Sequence, residues 1–168
     1  MKKIGLFYGS DTGNTEGVAK QIASLLGNNN VDVIDVSKSE TSDFEQYDRL
    51  ILGTSTTGIG DLQDDWDSAV AKLKEANLDG KLVALFGLGD AETYPDTFVD
   101  SMGHLYEAIK NKGCKIIGAV PTDGYEYDDS IAVIEGQFVG LAIDEDNEED
   151  KTEERIGNWI NSIKKDLV

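Results

Sequence analysis

The chain has 168 residues, 39% of them hydrophobic, and only two prolines; that suits a single domain with its own core over residues 1–168, and no apolar run approaches the roughly 20 residues that cross a bilayer. Asp and Glu number 33 against 15 Lys and Arg, a net charge of −18 that repels nucleic acid and anionic lipid and favours basic protein surfaces, though it also simply keeps a protein soluble. A single cysteine, Cys114, and a single histidine, His104, exclude an internal disulfide, a cysteine-based metal site and any constellation built on a histidine pair.

Met1-Lys2-Lys3 leads straight into the apolar run Ile4–Tyr8 without the longer apolar core and cleavage site of a secretory signal, so a cytoplasmic location is expected. The run ends in Gly9-Ser10-Asp11-Thr12-Gly13-Asn14-Thr15 and passes into a helical pattern with Val18, Ile22, Leu25 and Leu26 on one face. A strand that turns through hydroxyls and glycine into a helix aims free N–H groups at one spot, and the helix N-terminus adds partial positive charge; that spot suits a phosphate. Ser10, Thr12, Asn14 and Thr15 add side-chain donors, and no Lys or Arg lies between Lys3 and Lys20, so dipoles would hold it. The same turn also fits a capped helix that binds nothing.

Val31–Val36 reads as a second strand, and the polar connection Ser37–Asp48 carries a helical turn near Phe44. Arg49–Gly53 is a buried-type strand, followed by the hydroxyl-rich loop Thr54–Asp61 and a helix with Trp66, Val70 and Leu73 at helical spacing. Leu82–Gly87 is the fourth strand, with exit loop Leu88–Tyr94; a helix starting near Thr97 places Phe98, Met102, Leu105 and Ile109 together. Lys115–Gly118 starts a fifth strand, which resumes at Phe138–Ile143 after a segment that breaks the alternation and reads as an insertion in or beside it. Residues 144–154 hold eight acids and one Lys and read as a solvated loop before a last helix with Ile156, Trp159, Ile160 and Ile163 on one face.

Strands alternating with helices predict an α/β fold: a doubly wound, five-stranded parallel sheet in three layers, α/β/α. In strand order 2-1-3-4-5 the loops after strands one, three and four meet at one edge, where such sheets bind ligands.

At this point the chain resembles a flavodoxin of the long-chain kind. Ser10–Glu16 is similar to that family's phosphate loop, Ile59–Trp66 to the end of its first flavin loop, and Gly87–Asp90 with Tyr94 to its second; residues 120–140 resemble the insertion that separates long from short members. The resemblance implies non-covalent FMN and low-potential one-electron transfer without substrate turnover. It implies cofactor contacts from Ser10, Asp11, Thr12, Gly13, Asn14 and Thr15, from Thr56, Thr57, Gly58, Ile59 and Gly60, and from Gly89, Asp90, Tyr94 and Asp146. Tyr94 is the ring expected to stack on the flavin, and Asp61, Asp90, Glu92 and Asp146 the carboxylates that disfavour a second electron. It also implies a backbone carbonyl that turns over on reduction, placed here on Gly58, a residue that reaches φ > 0 without a Cβ penalty. The sequence departs from the family at Thr57, where many long members carry Trp, at Gly58, often Asn, and at Leu88, often a hydroxyl. Expected partners are redox proteins with basic docking surfaces, such as a flavin reductase or ferredoxin-dependent enzymes, meeting a monomer.

The alternative is an FMN-dependent NAD(P)H oxidoreductase of the quinone or azo reductase type on the same fold. A phospho-acceptor domain would need an Asp ending strand three, which ends Gly53-Thr54, and a nucleotide hydrolase would need Gly-Lys-Ser/Thr in the phosphate loop. His104 is expected as a surface or half-buried residue rather than a base, and Cys114 as a small packing residue.

Overall fold

A computed structural model describes residues 3–57 and 59–168. Ile4–Gly9 (β1) is buried throughout and turns into Asn14–Leu26 (α1); Val31–Asp35 (β2) and the short helix Thr41–Glu45 (α2) follow. Arg49–Thr57 (β3) folds back through Asp61–Leu62 (β4) into Asp64–Glu75 (α3), and Leu82–Leu88 (β5) leads to Asp100–Ile109 (α4). Lys115–Ile117 (β6), Val120–Pro121 (β7), Val133–Ile134 (β8), Gln137–Phe138 (β9) and Leu141–Ile143 (β10) precede the 19-residue helix Glu149–Leu167 (α5).

The main sheet runs β2-β1-β3-β5 in parallel, and two short strands share the next position: β6 pairs with Leu82–Ala84 and β10 with Phe86–Leu88. This is the expected order, and its switch point lies between β1 and β3. Between β6 and β10 the chain forms a separate antiparallel sheet, β7-β9-β8.

Side chains alternate across the sheet because successive strand residues point to opposite faces. Ile4, Leu6, Tyr8, Ile51, Ala84 and Phe86 pack against α1 and α5; Phe7, Leu50, Leu52, Val83 and Leu85 pack against α2, α3 and α4. Trp66 is fully buried in the second core and donates from its indole nitrogen to the Gly53 carbonyl at 2.7 Å, which clamps α3 to β3. Among the described residues no helix is long and apolar enough to cross a membrane.

Several boundaries differ from the sequence expectation. Thr54–Thr57 continue β3 instead of starting a loop: Thr54 and Ser55 pair with Gly87 and Leu88, and Thr56 and Thr57 with Leu62 and Asp61. β-branched threonines suit a strand when a partner is present, and here both partners come from elsewhere in the chain. Leu25 is 47% exposed, because it falls on the edge of a stripe whose other flank is filled by Ala19 and Ala23. Phe98 is buried but precedes α4. Phe138 belongs to β9, not to the strand of Leu141–Ile143: it pairs with Val120 and Val133 and packs edge-on to Tyr125, with ring centroids 4.9 Å apart. Residues 149–154 are helical. Glu149 and Asp150 in the first turn and Lys164 and Lys165 in the last complement the α5 dipole, so an acidic run that reads as solvated loop becomes a favourable helix start.

Candidate functional site

The carboxyl ends of β1, β3, β5 and β10 open onto one cleft of about 260 Å³. Its lining includes Asp11, Thr12, Asn14 and Thr15 from the turn before α1, and Ser55, Thr56 and Thr57 from the end of β3. Leu88, Gly89, Asp90, Tyr94 and Thr97 come from the β5 exit, and Glu145 and Asp146 from the segment after β10.

The floor is built by the turn into α1. Gly13 sits at φ 92°, a left-handed conformation that only glycine adopts freely, and no side chain caps the helix. The first-turn N–H groups are thereby left open, as at any uncapped helix start. Ser10 Oγ accepts the Gly13 N–H at 3.0 Å, so Ser10 shapes the loop and does not line the cleft. Thr15 is buried, and its Oγ1 has no hydrogen-bond partner; the Ser55 and Thr97 hydroxyls are buried and unpartnered in the same way. Buried hydroxyls without partners are costly, and three of them around one cleft mark acceptor and donor positions for a bound group.

The walls are acidic. Asp11 accepts from Gln63 Nε2 at 2.9 Å, while Gln63 Oε1 caps α3 through the Asp65 and Trp66 N–H groups, which ties the turn before α1 to the start of α3. Carboxylate oxygens of Asp90, Asp144 and Asp146 lie within 4.8 Å of one another. Asn147 holds this cluster together: its Nδ2 donates to Asp90 Oδ1 at 2.8 Å and to Asp144 Oδ2 at 2.9 Å. Burial works to raise Asp90, but the Thr93 N–H and the Asn147 amide outweigh it and hold the carboxyl below its usual range. Asp146 is raised by burial and by the charges of Asp90 and Asp144; Glu145 is raised chiefly by burial. Tyr94 stands at the rim with 41% of its surface exposed, a ring face open to a planar ligand.

The turn between β3 and β4 follows directly on Thr57, which lines the cleft. Thr57 Oγ1 donates to the Leu62 carbonyl at 3.1 Å, and His104 Nε2 lies 2.9 Å from the Gly60 carbonyl. Gly60, at φ 83°, packs so tightly on α4 that a Cβ would stand 2.8 Å from Asp100 Oδ2. Burial raises the Asp100 carboxyl, against the Ile131 N–H that it accepts at 2.9 Å. Ile59 is 79% exposed and, like Gly60, does not line the cleft; Gly58 lies outside the described residues.

Ser55, Thr97 and Glu145 were not singled out by sequence reasoning. A signal existed for Ser55, inside a run of hydroxyls; Thr97 and Glu145 reach the cleft only through the folding of the β5 exit and the register of β10.

The sequence profile of the family described as Flavodoxin matches residues 6–159. The flavodoxin of Nostoc sp. is 47% identical over 166 residues, covering 99% of this chain and 98% of that protein. The flavodoxin of Helicobacter pylori is 44% identical over 98% of both chains. The crystal structure of Fusobacterium nucleatum flavodoxin bound to flavin mononucleotide superposes with a TM-score of 0.94 at 35% identity, covering 100% of each chain. Likeness that runs through the whole of each chain, over a cleft placed at the β1–β3 switch point, leaves one conclusion: this chain belongs to the flavodoxin family.

Proposed function

We propose that the chain is a low-potential one-electron carrier that holds FMN non-covalently in this cleft and turns over no substrate of its own. Thr15 carries the reading. Its hydroxyl is buried and partnerless at an uncapped helix N-terminus, in a cleft that no Lys or Arg lines among the described residues. Such a floor suits a phosphate ester held by N–H groups and hydroxyls. FMN, when bound, supplies electron transfer in single-electron steps.

The protein's part is to bind, orient and set the field. Thr12, Asn14, Thr15 and the open N–H groups of α1 take the phosphate, on a loop shaped by Ser10, Asp11 and Gly13. Thr56 and Thr57 border the ring system on one side; Gly89, Asp90 and Tyr94 border it on the other, with Asp146 at the rim. Tyr94 is the aromatic cover, and Thr57 leaves the opposite face without one. The absence of a cation in the lining and the presence of Asp11, Asp90, Glu145 and Asp146 make each added negative charge harder to accept, which lowers the potential of the second electron.

The chain is a single domain over residues 1–168 and of the long-chain kind; the support is the segment 118–140, which stands between two strands that share one sheet position. Its partners are redox proteins with basic docking surfaces, a flavin reductase or ferredoxin-dependent enzymes, and it works as a cytoplasmic monomer without binding nucleic acid or membranes. A nicotinamide-dependent quinone or azo reductase is not favoured: the phosphates of a dinucleotide would want cations where this cleft has carboxylates.

The test is the visible spectrum of the purified protein, mixed with FMN and then reduced stepwise without oxygen. Expected are one FMN per chain, released by acid without proteolysis, and reduction in separated single-electron steps. A protein that gains no flavin absorbance on mixing would overturn the reading.

A further inference from the structure

We propose that His104 is a positioning residue: it fixes the turn between β3 and β4 for the cofactor by donating from Nε2 to the Gly60 carbonyl.

The bond is 2.9 Å long, and a carbonyl can only accept, so the hydrogen sits on Nε2. Ile59 is 79% exposed, and Gly60 has the left-handed φ of 83°, so outside contacts add to the Thr57–Leu62 hydrogen bond that closes the turn. Those contacts come from α4 and the residues just before it: Thr97 and Asp100 beneath Gly60, and His104 one turn further along. The same helix binds the end of β3, through the Ser101 N–H to Thr56 Oγ1 at 3.3 Å and the Ser101 and Thr54 hydroxyls at 2.8 Å. Thr56 and Thr57 line the cleft, so displacement of the turn reaches the cofactor pocket directly.

The surface hollow that holds the imidazole is rich in carboxylates. Asp61 from β4 and Asp64 and Asp67 from α3 line the same surface hollow as His104; Asp100 lies one turn earlier on α4, with Asp129 of the 118–140 segment acting on it in turn.

The effect on cofactor affinity rests on the FMN reading above; the effect on the turn does not. Two measurements separate them: FMN dissociation constants by flavin fluorescence, and amide exchange over residues 59–62 in the FMN-free protein, both for the unsubstituted protein, His104→Leu and His104→Gln. Expected is a three- to tenfold weaker FMN affinity and faster exchange in His104→Leu, with most of both restored in His104→Gln, which keeps a donor. Unchanged exchange in His104→Leu would overturn the clamp, even if no FMN binds. Unchanged exchange and affinity together, with FMN bound normally, would overturn the clamp and leave the carrier reading intact.

Discussion

Thr15 has its hydroxyl buried and no partner for it, so removing the hydroxyl separates ligand binding from folding. Thr15→Val is expected to weaken FMN binding roughly ten- to hundredfold, the scale of about 1.5–3 kcal/mol for a hydrogen bond to a charged group, while riboflavin, which lacks the phosphate, changes little. The FMN-free protein should at the same time become slightly more resistant to urea, because a desolvated, unsatisfied group is gone. Equal weakening of FMN and riboflavin would place the phosphate elsewhere.

The carboxylates of the rim respond to pH in opposite senses. Asp90 is held below its ordinary value of 3.8, so it contributes stability above 3.8 that is lost as the pH falls through its lowered folded value. Asp146 is raised above 3.8, so its ionised form costs stability at neutral pH, and that cost disappears as the pH falls through the raised value towards 3.8. Asp146→Asn should therefore stabilise the FMN-free protein at pH 7, by less than about 1 kcal/mol because the side chain is exposed, and the gain should vanish under acid conditions. Urea denaturation at both pH values checks this; a gain that persists in acid would mean that charge is not its cause.

At the scale of elements, what the sequence makes legible is what is decided locally. β1, α1 and the turn between them follow from a short apolar run, glycines and hydroxyls within a few residues of one another, and Asp11, Thr12, Asn14 and Thr15 are brought to the cleft by that turn alone. The hydroxyl run 54–57 reads as loop, yet it is strand, because Gly87, Leu88 and the Asp61–Leu62 return supply ladder partners that no local pattern announces. Phe138 is the sharper case. Its neighbours in sequence suggest the strand of Leu141–Ile143, but its partners are Val120 and Val133, and rings from Phe98, Tyr125 and Tyr127 surround it. Phe138 thus anchors β7, β8 and β9 over the start of α4. Phe138→Ala should cost about 3–5 kcal/mol, the usual loss for a buried aromatic, and amide exchange should rise first in residues 120–138. Exchange that rises evenly along the chain would show that this sheet does not open as a unit.

For the whole molecule, charge dominates. A net −18 on 168 residues makes an anionic particle whose encounters depend on salt. Electron exchange with a basic partner is expected to slow as ionic strength passes about 0.1 M, where the screening length falls to roughly 10 Å. At the lowest salt the rate can instead rise first, if strong attraction traps misoriented pairs. A rate flat from low to high salt would remove steering from the account.

The shared fifth position of the sheet has a further bearing. An outer strand is a template on which another chain can add itself, and uninterrupted ones seed aggregates. Here that border is made of two three-residue pieces, β6 and β10, with the chain leaving the sheet between them and a small antiparallel sheet beside the gap. The opposite border, β2, is five residues long and carries Asp32 and Asp35. Neither border offers a long, uncharged row of free N–H and C=O groups, which disfavours extension of the sheet by a second copy.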